Sequence, residues 1–152
     1  MGLKKTLDNT LKNAVLKAGE TLLLFSDRTT YSVSCPTSGV YISFGKTIEI
    51  KKTGTVRFKT KTATSTLNRQ MNTKVVITSN GATRRVNIAG TNSPISSATY
   101  FSKDLTVVSG DIISFEAGYD QYSNMTATIM AIDIYGDILL DEKETKKIIK
   151  EY

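Results

Sequence analysis

The sequence has no histidine, no tryptophan, a single cysteine and only two prolines in 152 residues. Without histidine, the side chain that most often moves protons near neutral pH is missing, and so is the commonest ligand for zinc and iron. The one thiol, Cys35, cannot form an internal disulfide or a cysteine metal cluster. Nothing in the chain therefore signals an oxidising compartment, and folding in a reducing cytoplasm is expected. No stretch approaches the ~20 apolar residues of a membrane-spanning helix. Lys4 and Lys5 are not followed by an apolar core segment, so a conventional signal peptide is not expected either. The acidic residues Asp111, Glu116, Asp120, Asp133 and Asp137 do not follow a calcium-loop pattern. Neither a metal nor a cofactor is expected.

What is present suits a single domain with its own core. Hydrophobic residues make up 39% of the chain and charged residues 22%. Threonine and serine together supply roughly a quarter of it, well above the usual share. Threonine favours strands and exposed sheet faces. The net charge of +6 and a pI near 9.4 permit attraction to nucleic acid, lipopolysaccharide, teichoic acid or an acidic protein without selecting among them.

Three segments follow from the periodicity. From Leu3 to Ala18 the apolar residues Leu3, Leu7, Leu11, Ala14, Val15 and Ala18 recur at helical spacing, and Gly19 stands where a helix ends, so residues 1–19 are predicted to be an amphipathic helix. Residues 20–138 change to short runs of Val, Ile, Thr, Phe and Tyr divided by Gly, Asn, Ser and Asp. Strands are predicted at 21–25, 31–34, 40–44, 48–52, 55–61, 74–78, 83–88, 99–101, 105–108, 112–117 and 125–135. Such a succession, with no helical stretch between, predicts an all-β antiparallel sandwich or barrel. Residues 139–152 are predicted to form a second short helix, with Asp141 and Glu144 at its start and Lys146, Lys147 and Lys150 toward its end. Ile148, Ile149 and Tyr152 are too few to build a core. This segment, like the stripe of Leu3, Leu7, Leu11 and Val15, is expected to dock on the sandwich or on a partner.

The stretch Gly39 to Gly54, "GVYISFGKTIEIKKTG", imitates three catalytic signatures. A phosphate-binding loop requires four residues between its glycines and a helix at the lysine; here five residues intervene, and strand-like sequence lies on both sides. Ser43 and Lys46 copy an S-x-x-K, and Lys52-Thr53-Gly54 a K-T-G, but the first should open a helix and the second should lie far downstream. The stretch is better explained as a hairpin with a Gly45-Lys46-Thr47 loop, which sets Phe44 opposite Ile48 and Ile42 opposite Ile50. Val40, Ile42, Phe44, Ile48 and Ile50 would then face the core and Tyr41, Ser43 and Glu49 face outward. Asn80-Gly81 predicts a second hairpin with Val75 opposite Val86 and Ile77 opposite Arg84. Ser109-Gly110-Asp111 predicts a third, with Val107 opposite Ile113 and Leu105 opposite Phe115.

Two polar regions are candidates for binding. Arg57, Lys59 and Lys61 alternate along "VRFKTK", so their charges share one strand face, with Val56 and Phe58 on the other. Stacking aromatics are not evident in the neighbouring sequence, so this is expected to be a solvated face, and nucleic acid is not an expected partner. The segment "AGYDQYSNMT" is the more ligand-like: Tyr119 and Tyr122 could stack on a sugar while Asp120, Gln121 and Asn124 supply hydrogen bonds. No nucleophile is visibly paired with a base, so no catalytic residue is assigned and an enzyme is not expected.

The order "GTVRFKTKT", "TKVVITSNGATRRVNI", "ATYFSKDLTVVSGDIISFEAG" and "MTATIMAIDIYG" resembles small jelly-roll modules of the complement and tumour necrosis factor type, especially those in tailed-bacteriophage structural proteins. The resemblance covers about Thr21 to Ile138 and rests on turn and core patterns. It implies a β-sandwich of jelly-roll type in a virion component such as a tail, baseplate or head-fibre subunit. Such a subunit would be made in the host cytoplasm and assembled with other virion proteins, commonly as a homo-oligomer such as a trimer, with host-surface attachment as a further role. It transfers no catalytic residue. The alternative is a carbohydrate-binding module that meets a cell-surface glycan through the tyrosine-bearing loop.

Overall fold

The computed structural model describes residues 22–64, 69–91, 98–138 and 140–143. Within them the chain forms ten strands: β1 (Leu22–Asp27), β2 (Tyr31–Cys35), β3 (Ile42–Ile50), β4 (Gly54–Thr64), β5 (Met71–Ser79), β6 (Ala82–Thr91), β7 (Thr99–Val107), β8 (Ile112–Gly118), β9 (Met125–Gly136) and β10 (Leu140–Lys143). Every pairing is antiparallel. The first sheet runs β1-β9-β4-β7, with β2 also on β9, and the second runs β10-β3-β8-β5-β6. β1 and β2 lie end to end along the twelve-residue β9, the one pairing with Ile132–Gly136 and the other with Met125–Ile129. The pairs are nested: β2 with β9, β3 with β8, β4 with β7, and β5 with β6. The all-β antiparallel sandwich expected from the strand spacing is thus what forms, and the described residues contain no helix.

Alternation along each strand sets the core. On β4, Val56 and Phe58 are buried between the sheets, while Arg57 points away. Phe58 of the first sheet meets Phe115 of the second edge-on, with ring centroids 6.1 Å apart, and Phe115 in turn lies 6.3 Å from Phe44. Ile48, Ile50, Ile77, Ile113, Ile129, Ile132 and Ile134 close around these rings and are fully buried.

The Asn80-Gly81 hairpin is as expected. Both residues have positive φ, 49° and 81°, as a two-residue primed turn requires, and Val75 pairs with Val86 and Ile77 with Arg84. The other two hairpins are corrected. Val40–Phe44 and Ile48–Lys52 do not fold back on one another; Ile42–Ile50 is a single strand interrupted by a bulge, with Phe44 opposite Phe115 and Ile48 opposite Ile113. Gly45 sits in this bulge at φ 75°, and a Cβ there would come within 3.3 Å of Ile132 in the facing sheet. Phe44, Ile48 and Ile50 are buried as expected and Ile42 packs against them, but Val40 lies before the strand and is 47% exposed.

Ser109-Gly110-Asp111 is likewise no hairpin: it crosses from β7 in the first sheet to β8 in the second. Val107, Ile113 and Phe115 are buried on facing sheets rather than paired side by side. Asp111 holds the crossing. Its carboxylate accepts from the Val108 N–H (2.9 Å) and from the Ser79 hydroxyl, and the turn is tied to Ile50 by Gly110 N–H to Ile50 O (2.7 Å) and Ile50 N–H to Asp111 O (2.9 Å).

At the far end, the expected helix start at Asp141 is also corrected. Leu140–Lys143 is a strand that pairs with the edge of β3, Leu140 opposite Ile50 and Lys143 opposite Thr47. Unpaired backbone groups on a strand edge compete for a following segment, and here Leu140 also reaches the core while Lys51 reaches the Asp141 carboxylate at 3.4 Å. The remainder of the expected C-terminal helix and the whole of the expected helix at 1–19, including Leu3, Leu7, Leu11, Val15, Ile148, Ile149 and Tyr152, lie outside the described residues.

Two measurements check this packing. Phe115→Ala removes the ring that joins the sheets and should cost about 3–5 kcal/mol of stability by chemical denaturation. Where β1 gives way to β2, the Asp27 carboxylate accepts from Tyr31 O–H (2.5 Å) and Thr29 N–H (2.9 Å). Burial pushes its pKa up, but these bonds and nearby Lys46 outweigh it and hold the group below the ordinary carboxylate range. A depressed folded pKa gives stability that is present above the unfolded value, about pH 4, and lost as pH falls through the folded one. Asp27→Asn should therefore make the acid side of the stability profile shallower.

Candidate functional site

Three connecting segments meet at one end of the sandwich: residues 36–41 between β2 and β3, residues 69–70 before β5, and residues 119–124 between β8 and β9. The first and third are tied by backbone and side-chain bonds, Gly39 N–H to Tyr119 O (2.8 Å), Asn124 N–H to Pro36 O (3.1 Å) and Ser38 N–H to the Ser123 hydroxyl (3.2 Å). Asn124 takes a left-handed conformation, φ 58°, which its short amide side chain tolerates.

The loop expected to bind a ligand is here, but its residues do different work. Tyr119 is fully buried and offers no face to a sugar. Its hydroxyl donates to the Thr126 carbonyl at 2.6 Å, and since that uses its only proton, the Thr64 hydroxyl 2.7 Å away must donate to it. Tyr119 thus fastens the end of the second sheet to β4 and β9 of the first. Tyr122 is half-buried, with the Arg69 guanidinium carbon 4.4 Å from its ring centroid. Gln121 and Asn124 are exposed. Asp120 is the organising residue: one oxygen accepts from Tyr41 O–H (2.7 Å), the other from the Asn72 amide (3.1 Å).

Tyr41, Lys74, Asn72 and Gln70 were invisible as participants in the sequence. Tyr41 was expected only to face outward; it does, and its ring lies against Gly118, where a Cβ would stand 3.0 Å from the ring and 3.0 Å from the Val40 carbonyl. Lys74 places its ammonium 3.9 Å from the same ring. Burial and the hydrogen bond to Asp120 push the Tyr41 hydroxyl well above the usual phenol range, so it stays a donor. Asn72 is buried, and Gln70 donates to its side-chain oxygen at 3.4 Å. The result is a polar cleat of Tyr41, Asp120, Asn72 and Gln70, with the Lys74 ammonium over the Tyr41 ring.

Other chemistry-bearing residues are structural. Ser43 and Lys46 lie in β3, which runs on without a helix, so neither apparent nucleophile motif has its required setting. Cys35 is a buried free thiol whose pKa is pushed up by burial, the opposite of an activated nucleophile. No group of three or more potential metal ligands occurs among the described residues, and no described helix is long and apolar enough to cross a membrane.

Tyr119→Phe separates anchoring from ligand contact. It removes the hydroxyl that bonds both the Thr126 carbonyl and the buried Thr64 side chain, and should cost about 1–3 kcal/mol of stability in denaturant titrations with no ligand present.

No protein-family model and no curated protein matches the chain. Several solved structures are similar in fold. The CBM22-1 xylan-binding domain from Paenibacillus barcinonensis Xyn10C is 9% identical with a TM-score of 0.49, over 76% of this chain and 94% of that one. CBM35 from Cellvibrio japonicus Abf62 is 16% identical with a TM-score of 0.46, over 82% of this chain and 93% of that one. A chain of infectious bursal disease virus Gt strain is 13% identical with a TM-score of 0.40, over 76% of this chain and 33% of that one. No ligand or assembly is transferred from any of them.

Proposed function

We propose that the protein is a non-enzymatic structural subunit of a tailed phage or phage-like particle, a jelly-roll sandwich that acts through assembly with other virion proteins. The observation that carries this reading is the use made of its buried polar groups. Asp27 and Asp111 hold turns, Asp133 takes Ser26 and Arg28, Glu116 takes Arg85, and Tyr119 joins the sheets. Each of these groups has a partner that fixes the scaffold, which suits a rigid building block better than a reaction centre. The nested strand pairs support a jelly-roll winding, and the motif order resembles phage modules of that type. The helical-period stripe of Leu3, Leu7, Leu11 and Val15, with Ile148, Ile149 and Tyr152 at the other end, supplies apolar surface for homo-oligomer and partner contacts.

The full chain is expected to run as a homo-oligomer in light-scattering chromatography, to fall to a monomer on Leu7→Ser with Leu11→Ser while keeping its β-type circular dichroism, and to be detected by mass spectrometry in purified particles. A chain that is monomeric at micromolar concentration and missing from every particle fraction would sink the proposal.

A second reading, a carbohydrate-binding module, is favoured by the Asp120 cleat. Asp120 fixes the Tyr41 hydroxyl against the loop that also carries Tyr122 and the exposed Gln121 and Asn124, so a sugar there would meet a ring and hydrogen-bonding groups on a loop already held in place. Replacing Tyr41 and Tyr122 with Ala should lower glycan affinity by about 1–3 kcal/mol if a ring stacks on the sugar. An unchanged glycan-array profile removes this reading.

A further inference from the structure

The outer face of the first sheet gathers cations and aromatic rings that the sequence keeps far apart. Register across β9, β4 and β7 sets Lys61 opposite Tyr100, Lys59 opposite Asp133, and Arg57 opposite both Tyr135 and Asp104. The Lys59 ammonium lies 4.8 Å from the Tyr100 ring centroid and 5.9 Å from that of Tyr135, and the Lys61 ammonium lies 5.6 Å from Tyr100. Arg28 reaches in from the joint between β1 and β2, donates to the Tyr100 hydroxyl at 2.7 Å and pairs with Asp133 at 3.2 Å. Three cations therefore converge on one tyrosine.

The anions nearby are already engaged. Asp104 is held by Arg57 through two bonds of 2.7 and 3.1 Å. Asp133, its side chain only 2% exposed, takes Arg28 and Ser26. Lys59 and Lys61 have no carboxylate partner among the described residues. Arg28 and Tyr100 remain accessible, at 58% for the Arg28 side chain and 40% for Tyr100. Solvated lysines ordinarily spread apart into water, because like charges brought together repel. Here the rings hold them together, which leaves a concentrated positive field at the surface.

We propose that this face binds an anionic polysaccharide, through Arg28, Lys59 and Lys61 with Tyr100 and Tyr135 as their supports. Lys59 and Lys61 are alternate residues of one strand and so share a face, where an extended polymer bearing sulfate, phosphate or carboxylate groups can run past both. Net positive charge disfavours occupants from the chain itself. Residues 1–21 carry four lysines against Asp8 and Glu20, residues 144–152 carry three against Glu144 and Glu151, and a second copy has the same net charge of +6. Nucleic acid fits less well, since bases need open ring faces for stacking and the ring of Tyr100 already carries ammonium groups while its hydroxyl is bound by Arg28. The inference does not depend on the protein residing in a virion.

The test uses the full chain and fluorescence anisotropy with labelled heparin for sulfate, a phosphomannan for phosphate and polygalacturonate for carboxylate, beside neutral dextran and an oligothymidylate. At least one of the three anionic polysaccharides should bind, losing about ten-fold or more in affinity between about 50 and 200 mM salt. Lys59→Gln with Lys61→Gln should weaken that binding about ten-fold and flatten the logarithmic salt slope by between one and two. Arg28→Gln, which removes one cation and also releases the Tyr100 hydroxyl and the Asp133 carboxylate, should weaken it too. The control pair Lys52→Gln with Lys103→Gln removes equal charge elsewhere and should change affinity less than about two-fold. Failure of all three anionic polymers to bind, an equal loss in the control pair, or tighter binding to oligothymidylate would overturn the proposal.

Discussion

A phenol buried between two sheets fixes the working end of this molecule. Tyr119 stands where β8 leaves the second sheet, and its hydroxyl is bonded to Thr64 on β4 and to the Thr126 carbonyl on β9. Its own carbonyl takes the Gly39 N–H. The next residue is Asp120, whose two oxygens set Tyr41 and Asn72. Without the anchor, one turn of freedom at position 119 would carry the whole cleat with it. The same logic runs deeper into the sandwich, where the Thr60 and Thr73 hydroxyls meet across the sheets at 3.2 Å. Part of the threonine excess thus closes the polar end of the core, where isoleucine would leave hydroxyl and carbonyl partners unsatisfied.

The two outer faces divide the charge differently. On the second sheet, Arg85 is matched by Glu116, and Lys74 lies over a ring whose hydroxyl is bound by a carboxylate. On the first sheet the carboxylates are taken by Arg28 and Arg57, and the two lysines of β4 are left to the aromatic rings. A net positive charge in the composition is compatible with an even spread and a solubility role; an arrangement in which like charges are gathered rather than dispersed gives the surface a direction.

Periodicity made the elements legible and left their partners open. The alternation of Ile42, Phe44, Ile48 and Ile50 correctly marked a shared face, yet a hairpin and a bulged strand put the same residues inside, and Gly45 with positive φ suits both. The same ambiguity hid the crossing at Asp111, because the inner faces of both sheets point into one core, so apolar residues on either side of a turn do not reveal whether it joins neighbours or spans the sandwich. Asn80-Gly81 escaped this ambiguity since two consecutive positive φ values suit few structures other than a tight hairpin. Tyr41 and Tyr100 could not be connected to their sites in advance: each is brought to its cation by pairing between strands far apart in sequence, and register between such strands is not written locally.

Edge protection limits backbone pairing at the rims of the sandwich. A sandwich has strand edges at which another chain can add by backbone pairing. Here β10 covers the edge of β3. At the opposite side, where β6 and β7 close the two sheets, the Arg84 guanidinium donates to the Thr106 carbonyl at 2.6 Å and so occupies an acceptor of the β7 edge. β7 also carries Lys103 and Asp104 along its exposed length. Charges on an edge and a side chain bound to its backbone both oppose strand addition. Backbone pairing of another strand is therefore opposed at the edges of β3 and β7, which leaves the side chains of the sheet faces as the surfaces open to contact there.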